Sequence, residues 1–365
     1  MDLIIKPTEA CNFACSFCSS PKLSDSPKNR LPLEKIYEFL ERFPNTNTII
    51  VNGGDPTMVP VKYYWDLIDH MDKHGYTANI CLTSNLWKFW KEWEKDVLAD
   101  NTKLYSPPTQ EEIDAKPWTK LFRHPRIDLT TSFQYGEGRK IRKDRVFTER
   151  DFIRIQELML SKVGHRVSFI SVIGYEDLDD CIKNVELAKE LNVDCSLNYV
   201  VASGHAETTL PKSYIYEKYL EVHRRGLTNW ESNTRQMIRR IVNANETLCP
   251  LNRRCDEGIR VLHPDGSYYS CGSFADDLDK EIDYEKEVKE GEFFTPLQDD
   301  KELHRLKDEC LTCPMFDICN GCYKHIKDLK RTNQVEKHCT KMKSIANEIL
   351  SASNLEAYKD LKDED

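Results

Sequence analysis

Three cysteines near the N-terminus constrain this chain more than any other feature. Cys11, Cys15 and Cys18 have the spacing C-x3-C-x2-C and follow a short apolar run, Leu3-Ile4-Ile5. A 4Fe–4S cluster takes four ligands, and cysteine thiolate is the usual one. Three local cysteines can therefore bind three irons and leave the fourth iron open to a small molecule, as a catalytic zinc keeps one position for substrate. A structural zinc site would require a fourth ligand and paired C-x2-C spacing, which this stretch lacks.

The other cysteines are concentrated near the C-terminus. Of fourteen cysteines in 365 residues, three lie in the N-terminal stretch, eight lie between Cys249 and Cys339, and Cys81, Cys181 and Cys195 are scattered. In a cytosolic protein, dense groups of this kind indicate metal sites more than disulfides. Cys181 and Cys195 fit core positions, whereas Cys81 shares the polar face of a predicted strand.

Composition and charge exclude some function classes. A net charge of −9 argues against a nonspecific nucleic-acid binder, which would carry a basic stripe. The sequence shows no charged leader with a long apolar core and no apolar run long enough to cross a bilayer. We therefore expect a cytoplasmic protein with neither a nucleic-acid partner nor a membrane partner.

Strand signals alternate with amphipathic helices over the first 200 residues, a pattern typical of repeated βα units around a parallel sheet. Helices are predicted over about 32–43 and 61–73. Six strands are predicted over residues 2–6, 48–52, 77–85, 128–134, 168–173 and 193–201. The third and fourth strands alternate polar and apolar residues. A parallel strand buried on both sides would be apolar on both faces, so this alternation indicates a curved sheet with a polar ligand on its concave side.

A long insertion separates the third and fourth strands, over about residues 86–127, and it is rich in tryptophan. It carries Trp87, Trp90, Trp93 and Trp118. Segments of this length inside a compact domain are usually functional or disordered. Two interpretations stay open: a helical decoration that packs its tryptophans on the main domain, or a lid that contacts substrate.

The N-terminal stretch, Cys11-x3-Cys15-x-Phe17-Cys18, resembles the cluster loop of the radical S-adenosylmethionine (radical SAM) enzymes. The resemblance implies that the open iron chelates S-adenosylmethionine and that Phe17 lies beside the adenine. Gly53-Gly54-Asp55-Pro56 resembles the family's GGEP loop, which binds the methionine ammonium. Aspartate replaces glutamate here, so either the acid or the backbone carbonyls make that contact.

Smaller similarities extend this cofactor-binding set. Thr83 and Asn85 resemble the family's third-strand ending, and Ser132 resembles the fourth-strand serine near the ribose and carboxylate. Each also fits an ordinary polar strand end. Arg150 or Arg154, in the following predicted helix, is a candidate partner of the carboxylate.

The C-terminal cysteines resemble the SPASM extension of radical SAM enzymes. Their pattern is Cys249-x5-Cys255-x10-Gly266-x4-Cys271, then Cys310-x2-Cys313-x5-Cys319-x2-Cys322, then Cys339, with one residue fewer than the family before Cys322. The resemblance implies two further 4Fe–4S clusters, and three clusters in all. It gives Cys249, Cys255, Cys271 and Cys322 to one, and Cys310, Cys313, Cys319 and Cys339 to the other. A pair of structural zinc sites is the alternative.

The fold expected from these resemblances is α/β: a partial (β/α)6 barrel of the radical SAM type with a small, cysteine-rich α+β SPASM domain. We expect the barrel over residues 1–210, two linking helices over 211–245, the auxiliary cluster domain over 246–345, and a helix end and charged tail over 346–365.

The implied activity is reductive cleavage of S-adenosylmethionine to a 5′-deoxyadenosyl radical that abstracts hydrogen from a substrate, with the auxiliary clusters handling electrons. A peptide or protein side chain is the preferred substrate, crosslinked or oxidised. The partners expected are that peptide, a flavodoxin or ferredoxin as electron donor, and a separate peptide-recognition protein. The sulfatase-maturing branch is disfavoured, because its acid directly follows the cysteine that here is Cys271, and Gly272-Ser273 stand there instead. The alternatives are a radical dehydrogenase or isomerase of a small metabolite, and a non-enzymatic iron–sulfur or zinc scaffold.

Overall fold

A sheet of eight strands organises the chain. The computed structural model describes residues 1–20, 30–142, 145–242, 249, 252, 254–319 and 321–353. The strands are β1 (Asp2–Ile5), β2 (Thr48–Val51), β3 (Asn79–Thr83), β4 (Ile127–Ser132), β5 (Lys140–Ile141), β6 (Arg145–Val146), β7 (Phe169–Ile173), β8 (Cys195–Tyr199), β9 (Ile259–Leu262) and β10 (Tyr268–Tyr269).

Helices follow most of the strands. In the first part of the chain they are α1 (Leu33–Arg42), α2 (Lys62–His74), α3 (Trp87–Ala99), α4 (Gln110–Ala115), α5 (Pro117–Phe122), α6 (Glu149–Lys162), α7 (Cys181–Leu191), α8 (Lys212–Arg224) and α9 (Ser232–Val242). In the C-terminal part they are α10 (Cys255–Gly258), α11 (Gly272–Asp276), α12 (Pro296–Asp299), α13 (Phe316–Cys319), α14 (Tyr323–Arg331), α15 (Val335–Ser344) and α16 (Ala346–Ala352).

The six predicted strands are present and parallel, in the order β1-β2-β3-β4-β7-β8. Their observed ends lie within two residues of the predicted ones. This confirms the predicted α/β class and its repeated βα units. The predicted alternation is also confirmed, because Ile80 and Leu82 of β3 are buried while Cys81 and Thr83 are only half-buried.

The C-terminal hairpin extends the sheet. β9 pairs in parallel with β1, and β10 pairs antiparallel with β9, so the full order is β10-β9-β1-β2-β3-β4-β7-β8. The sequence predicted this hairpin but placed it only in the C-terminal module. The pairing joins Asp2 to Ile259, and no local sequence pattern reports on a contact between segments so far apart.

The tryptophan-rich insertion forms α3, α4 and α5, and its four tryptophans are at most 8% exposed. Trp93 donates a hydrogen bond from Nε1 to Thr119 Oγ1 at 2.8 Å. Lys162 of α6 lies over the ring of Trp93, with Nζ 4.5 Å from its centre. The tryptophans therefore pack inward, which confirms the interpretation as a helical decoration.

The linker was predicted as two helices, and α8 and α9 are those helices. The boundary predicted at residues 245–246 and the charged tail lie outside the described residues. The last described helix, α16, packs against both α8 and α9. In the described part of the chain, no helix combines the length and apolar character needed to cross a membrane.

Candidate functional site

The N-terminal cysteine loop follows β1 and is held by a hairpin, β5–β6, that the sequence did not predict. Backbone amides of Ala14 and Ser16 donate to the carbonyls of Lys140 (2.8 Å) and Gly138 (3.0 Å). Phe13 forms a further bridge with β5 and packs its ring on Phe147, with centres 5.2 Å apart. The loop therefore gains the backbone pairing that a cysteine-rich turn lacks by itself.

The three cysteines of this loop lie close together at the mouth of the sheet. Cys11 is exposed, and Cys15 and Cys18 are half-buried. Burial raises the pKa of Cys18 to about 11, and the neighbouring Cys15 adds to the rise. A cation or metal nearby is what would convert such thiols to thiolates.

Arg139 supplies a positive charge beside all three thiols, and the sequence analysis did not identify it. It is 5% exposed, its Nη1 donates to Ser132 Oγ (2.9 Å), and its Nη2 donates to Gln134 Oε1 (2.8 Å). Its guanidinium carbon lies 5.2 Å from the ring centre of Phe17. Burial lowers the pKa of Arg139, and the charges of Cys15, Cys11 and Cys18 oppose that shift.

The surroundings of Arg139 are neutral apart from these thiols. Within the described residues, no carboxylate lies within ion-pair distance of its guanidinium, and its Nε has no hydrogen-bond partner. A buried guanidinium without an anion is costly, so an anionic group bound beside it would be stabilised. Gly136-Glu137-Gly138-Arg139, directly after β4, was the sequence signal that could have found it.

The predicted arginines lie elsewhere. Arg150 is exposed at the start of α6, and Arg154 lies against the insertion, with its guanidinium 5.8 Å from the centre of Trp90. This corrects the assignment of the carboxylate partner to that helix. The reason is that α6 packs on the outside of the sheet, whereas the loop before it folds back over the cysteines.

The Gly-Gly loop after β2 packs directly against the segment that leads into the cysteine loop. The amide of Gly54 donates to the carbonyl of Thr8 (3.0 Å), and the amide of Asp55 donates to that of Ala10 (2.9 Å). Gly53 has φ of +112°, and a Cβ there would lie 2.7 Å from Thr8 O. A Cβ on Gly54 would overlap the carbonyl oxygens of Ala10 and Glu9. The glycines are therefore required by this close approach of two backbones.

Asp55 is committed to protein hydrogen bonds and is 1% exposed. Its carboxylate accepts from the amides of Thr57 (2.9 Å) and Asn85 (2.9 Å), from the Thr57 hydroxyl, and from Ser84 Oγ (3.1 Å). Burial raises the pKa of Asp55, and these hydrogen bonds oppose the rise. Of the two contacts left open for the methionine ammonium, this geometry favours the backbone carbonyls. Pro56 begins the buried turn that follows.

Asn85 connects the end of β3 to the cysteine loop. Its Nδ2 donates to Asn12 Oδ1 (2.7 Å) and lies 3.8 Å from Cys11 Sγ. A donor to a thiolate sulfur orients it and adjusts the electronic properties of a bound cluster. Thr83, two residues earlier, is half-buried on the same strand.

A buried charged cluster joins this mouth to the C-terminal part of the chain. Lys6, directly after β1, forms an ion pair with Asp276 of α11, and Ser19 Oγ donates to the same carboxylate at 2.8 Å. Glu9 and His263 are buried beside it, and burial lowers the pKa of His263 to about 4, with Lys6 adding to the shift. Sequence reasoning missed these residues. Their signal was the position of Lys6 and His263 directly after parallel strands, where active sites of βα folds collect.

The C-terminal cysteines form two electrostatically separate groups. Cys255 and Cys271 are half-buried and pack on an apolar cluster that includes Phe274 and Tyr323. Burial raises the pKa of Cys271 to about 12, and Cys322 adds to the rise. The thiol charges that act on Cys255 are those of Cys271, Cys249 and Cys322.

The second group lies around a small cavity of about 40 Å³. The lining cysteines are Cys310, Cys313, Cys319 and Cys339. Met315, Ile326 and Met342 supply much of its apolar wall. Burial raises the pKa of Cys319 to about 12, with contributions from the other three cysteines of the cavity.

All fourteen cysteines are described and none forms a disulfide, which agrees with the interpretation of the dense groups as metal sites. Among the described residues, no three His, Cys, Asp or Glu side chains lie close enough to share one metal ion. A four-iron cluster is a different case, because each thiolate binds its own iron. Four thiols per group, in an apolar and enclosed setting, fit that donor set.

Comparison with known proteins gives a family match and several similar structures. Residues 5–100 match the Radical SAM superfamily model. Among curated proteins, none matches the chain in sequence. Native anSMEcpe with bound AdoMet superposes with a TM-score of 0.65 and 17% identity, covering 97% of this chain and 99% of that one.

Two further structures contain peptides. Native anSMEcpe with AdoMet and the Cp18Cys peptide has a TM-score of 0.64 and 16% identity, over 97% of this chain and 98% of the other. Streptococcus suis SuiB bound to precursor peptide SuiA has a TM-score of 0.55 and 15% identity, over 88% of this chain and 72% of the other. At these identities the similarity establishes the fold, and it extends beyond the sheet through the C-terminal cysteine groups.

Proposed function

Because this chain is a radical SAM enzyme, with the family's domain at residues 5–100, we propose that it reductively cleaves S-adenosylmethionine and abstracts hydrogen from a peptide or protein side chain. The observation that carries the proposal is the arrangement of three thiols around buried Arg139, which has no carboxylate within ion-pair distance in the described residues. Such a site is suited to an anionic cluster with one open coordination position.

Cys11, Cys15 and Cys18 would hold a 4Fe–4S cluster, and S-adenosylmethionine would bind at its open iron. When bound, this pair supplies the electron and the hydrogen abstraction, which protein side chains cannot provide. The chain's own residues orient and enclose the pair. Asn85 donates to Cys11, Phe17 offers an aromatic face, and the Gly53-Gly54 backbone fixes the cysteine loop.

Arg139 would hold the carboxylate of S-adenosylmethionine together with Ser132. Its Nε is free to donate, and Ser132 Oγ is already hydrogen-bonded to its Nη1. This assigns Ser132 the ligand-facing position expected from its resemblance, and it moves the cationic partner from α6 to the loop after β4.

Arg139→Met is expected to weaken S-adenosylmethionine binding by about 10- to 100-fold, since a hydrogen bond to a charged group contributes about 1.5–3 kcal/mol. The measurement is anaerobic equilibrium dialysis with labelled cofactor, after iron analysis shows that the clusters are retained. Arg154→Met is the matched control, because that arginine packs on Trp90. A weakened Arg154→Met protein beside an unchanged Arg139→Met protein would contradict the assignment.

We propose two auxiliary 4Fe–4S clusters in the C-terminal part, as the SPASM resemblance implies. One would bind Cys249, Cys255, Cys271 and Cys322, and the other Cys310, Cys313, Cys319 and Cys339. The grouping is supported by which thiol charges act on one another. With four protein ligands each, neither has an open iron, which favours electron handling over direct ligation of substrate.

Cys339→Ala tests that role. Cys339 is half-buried on α15, in the wall of the second cavity, and comes after the compact block of the other three cysteines. We expect a folded protein with about four fewer irons that still cleaves S-adenosylmethionine but forms little substrate product. The measurement is 5′-deoxyadenosine formed against substrate product. Unchanged coupling between the two yields would exclude an electron-handling role for that cluster.

A peptide substrate is proposed on limited grounds. The similar structures anSMEcpe and SuiB were solved with peptides bound, and the match to them covers most of this chain. The separate recognition partner, a flavodoxin or ferredoxin donor, the cytoplasmic location and the domain boundaries at 210 and 246 belong to the same proposal. The prediction against the sulfatase-maturing branch also stays a prediction, and both acids after Cys271, Asp276 and Asp277, are engaged in ion pairs with lysines.

The test of the whole proposal is formation of 5′-deoxyadenosine from S-adenosylmethionine by the anaerobically reconstituted protein with dithionite. Product formation from a short peptide encoded beside the gene would identify the substrate class. Cleavage that is stimulated only by a small metabolite would favour the dehydrogenase or isomerase alternative. No cleavage by protein that holds its clusters would leave the scaffold alternative.

A further inference from the structure

A buried lysine lies between the two C-terminal cysteine groups. Lys212 is the first residue of α8 and is 1% exposed. Its Nζ lies 6.0 Å from the ring centre of Tyr199, at the end of β8. Its backbone amide donates to Nε2 of His325 at 3.1 Å. The lysine is thus fixed at its own backbone by the helix that carries one of the cysteine groups.

On one side, Lys212 approaches the group of Cys249, Cys255, Cys271 and Cys322. Cys322 is the N-terminal cap of α14, and His325 follows it one turn later. The rings of Tyr199 and His325 lie 5.0 Å apart. Burial raises the pKa of Tyr199, and the charge of Cys322 adds to the rise. Tyr199 therefore lies between the lysine and this group.

On the other side, the same turn of α8 approaches the second group. The amide of Ser213 donates to Nδ1 of His338 at 3.3 Å, and His338 lines the cavity of Cys310, Cys313, Cys319 and Cys339. The rings of His325 and His338 lie 5.3 Å apart. Two consecutive backbone amides thus bind one imidazole from each group's helix, which places Lys212 between both sites.

The charge of Lys212 acts on both groups. Burial raises the pKa of Cys319 to about 12, and Lys212 is the strongest of the charges that act on this thiol, lowering its pKa. Cys249 is exposed by its accessible surface, yet the surrounding protein desolvates its thiol enough to raise the pKa, and Lys212 again opposes the rise. Other lysines near the cysteines differ, since Lys307 and Lys343 act on Cys339 and form ion pairs with glutamates.

The imidazoles between the groups do not supply this positive charge. His325 and His338 each accept a backbone N–H on one ring nitrogen, which requires that nitrogen to be unprotonated. Burial lowers the pKa of His338 to about 3, and Lys212 contributes to the shift. The pair is therefore neutral at physiological pH, and the ammonium of Lys212 is the cation that the two groups share.

We propose that Lys212 is a positioning residue common to the two auxiliary cluster sites, whose buried ammonium raises the reduction potential of both clusters. Reduction adds a negative charge at each site, and a nearby cation in a medium of low dielectric constant stabilises the added charge. The lysine would thereby make both sites better electron acceptors together. The inference rests on the proposed function, because it requires the two auxiliary clusters.

The experiment is a redox titration monitored by electron paramagnetic resonance on the full chain. Cys11, Cys15 and Cys18 are replaced by alanine in the background, so that only the auxiliary clusters contribute signals. We compare Lys212→Met, which removes the charge, with Lys212→Arg, which keeps it. Lys218→Met is the control for position on α8, because Lys218 lies in an ion pair with Glu221 away from the cysteines.

Lys212→Met is expected to lower both midpoint potentials, with a loss of electron affinity of about tenfold, or about 59 mV for a one-electron couple. Lys212→Arg and Lys218→Met are expected to retain the potentials of the parent. Potentials that stay the same in Lys212→Met, or that fall for one cluster alone, would overturn the proposal of a shared cation.

A second variant, Lys212→Gln, covers the case in which methionine disturbs assembly. If Lys212→Met and Lys212→Gln both lose iron that Lys212→Arg retains, the charge serves assembly and the proposal is overturned. Iron analysis of the parent separates the two levels of inference. A parent without about eight auxiliary irons would refute the proposed clusters themselves, whereas a fully loaded parent with unresponsive potentials would refute only the role of Lys212.

Discussion

Replacing Cys11, Cys15 and Cys18 together with alanine is expected to remove about four of about twelve irons per chain and to abolish cleavage of S-adenosylmethionine. Each thiolate would bind a separate iron, so a cluster without all three would have no protein ligands left at this site. The C-terminal groups lie on other elements and should retain about eight irons. The measurements are iron content after anaerobic reconstitution and 5′-deoxyadenosine formation.

The matched control for this triple variant is Cys181→Ala. Cys181 is fully buried on α7, and the structure places it in the apolar core, outside the three cysteine groups. It should lose no iron and retain cleavage, at a modest cost in stability from the small cavity. Tightly bound zinc in place of iron, in protein prepared without oxygen, would contradict the cluster assignment at all three sites.

Gly54→Ala is expected to remove the N-terminal cluster as well, although the change adds only one methyl group. Its Cβ would overlap the carbonyl oxygens of Glu9 and Ala10, which directly precede Cys11. Backbone cannot move aside as a flexible side chain can, so the cysteine loop itself must shift. We expect a loss of about four irons and of most S-adenosylmethionine cleavage, with the auxiliary irons retained.

The Gly54 variant separates two explanations of the glycine. If it served only close approach of the cofactor, as the GGEP resemblance suggests, the variant would keep its iron and lose cofactor binding alone. Gly258→Ala is the control, because Gly258 has no positive φ and its added Cβ meets no atom within 4 Å. A Gly54→Ala protein with full iron content would contradict the packing argument.

The contacts of Asp55 illustrate how a resemblance and a structure can divide one motif. The Gly-Gly-Asp-Pro stretch was identified correctly as a turn after the second strand. Its acid, however, receives hydrogen bonds from Thr57, Ser84 and Asn85, and so connects the ends of β2 and β3. The shorter aspartate is engaged within the protein, and this leaves the backbone carbonyls of the loop for a ligand.

Local patterns in the sequence were sufficient for the parallel α/β sheet and for the cysteine groups. Periodicity places the strands within two residues, because one face of each strand must be buried whatever its neighbours are. Cysteine spacing is also local, since the ligands of the N-terminal site lie within eight residues. The inward packing of the four tryptophans needed the structure to decide it, because aromatic content alone does not distinguish a packed decoration from a lid.

Only the tertiary structure showed which distant residues meet at the site. Arg139 reaches the cysteines because β5 pairs with the loop that holds them. Asp276 meets Lys6 because β9 pairs with β1, and Lys212 lies between two cysteine groups because α8 binds a histidine from each of two later helices. Contacts of this kind depend on the relative placement of whole elements. A sequence records the residues that make them, but the pairing partner of each is selected only when the chain closes over large separations.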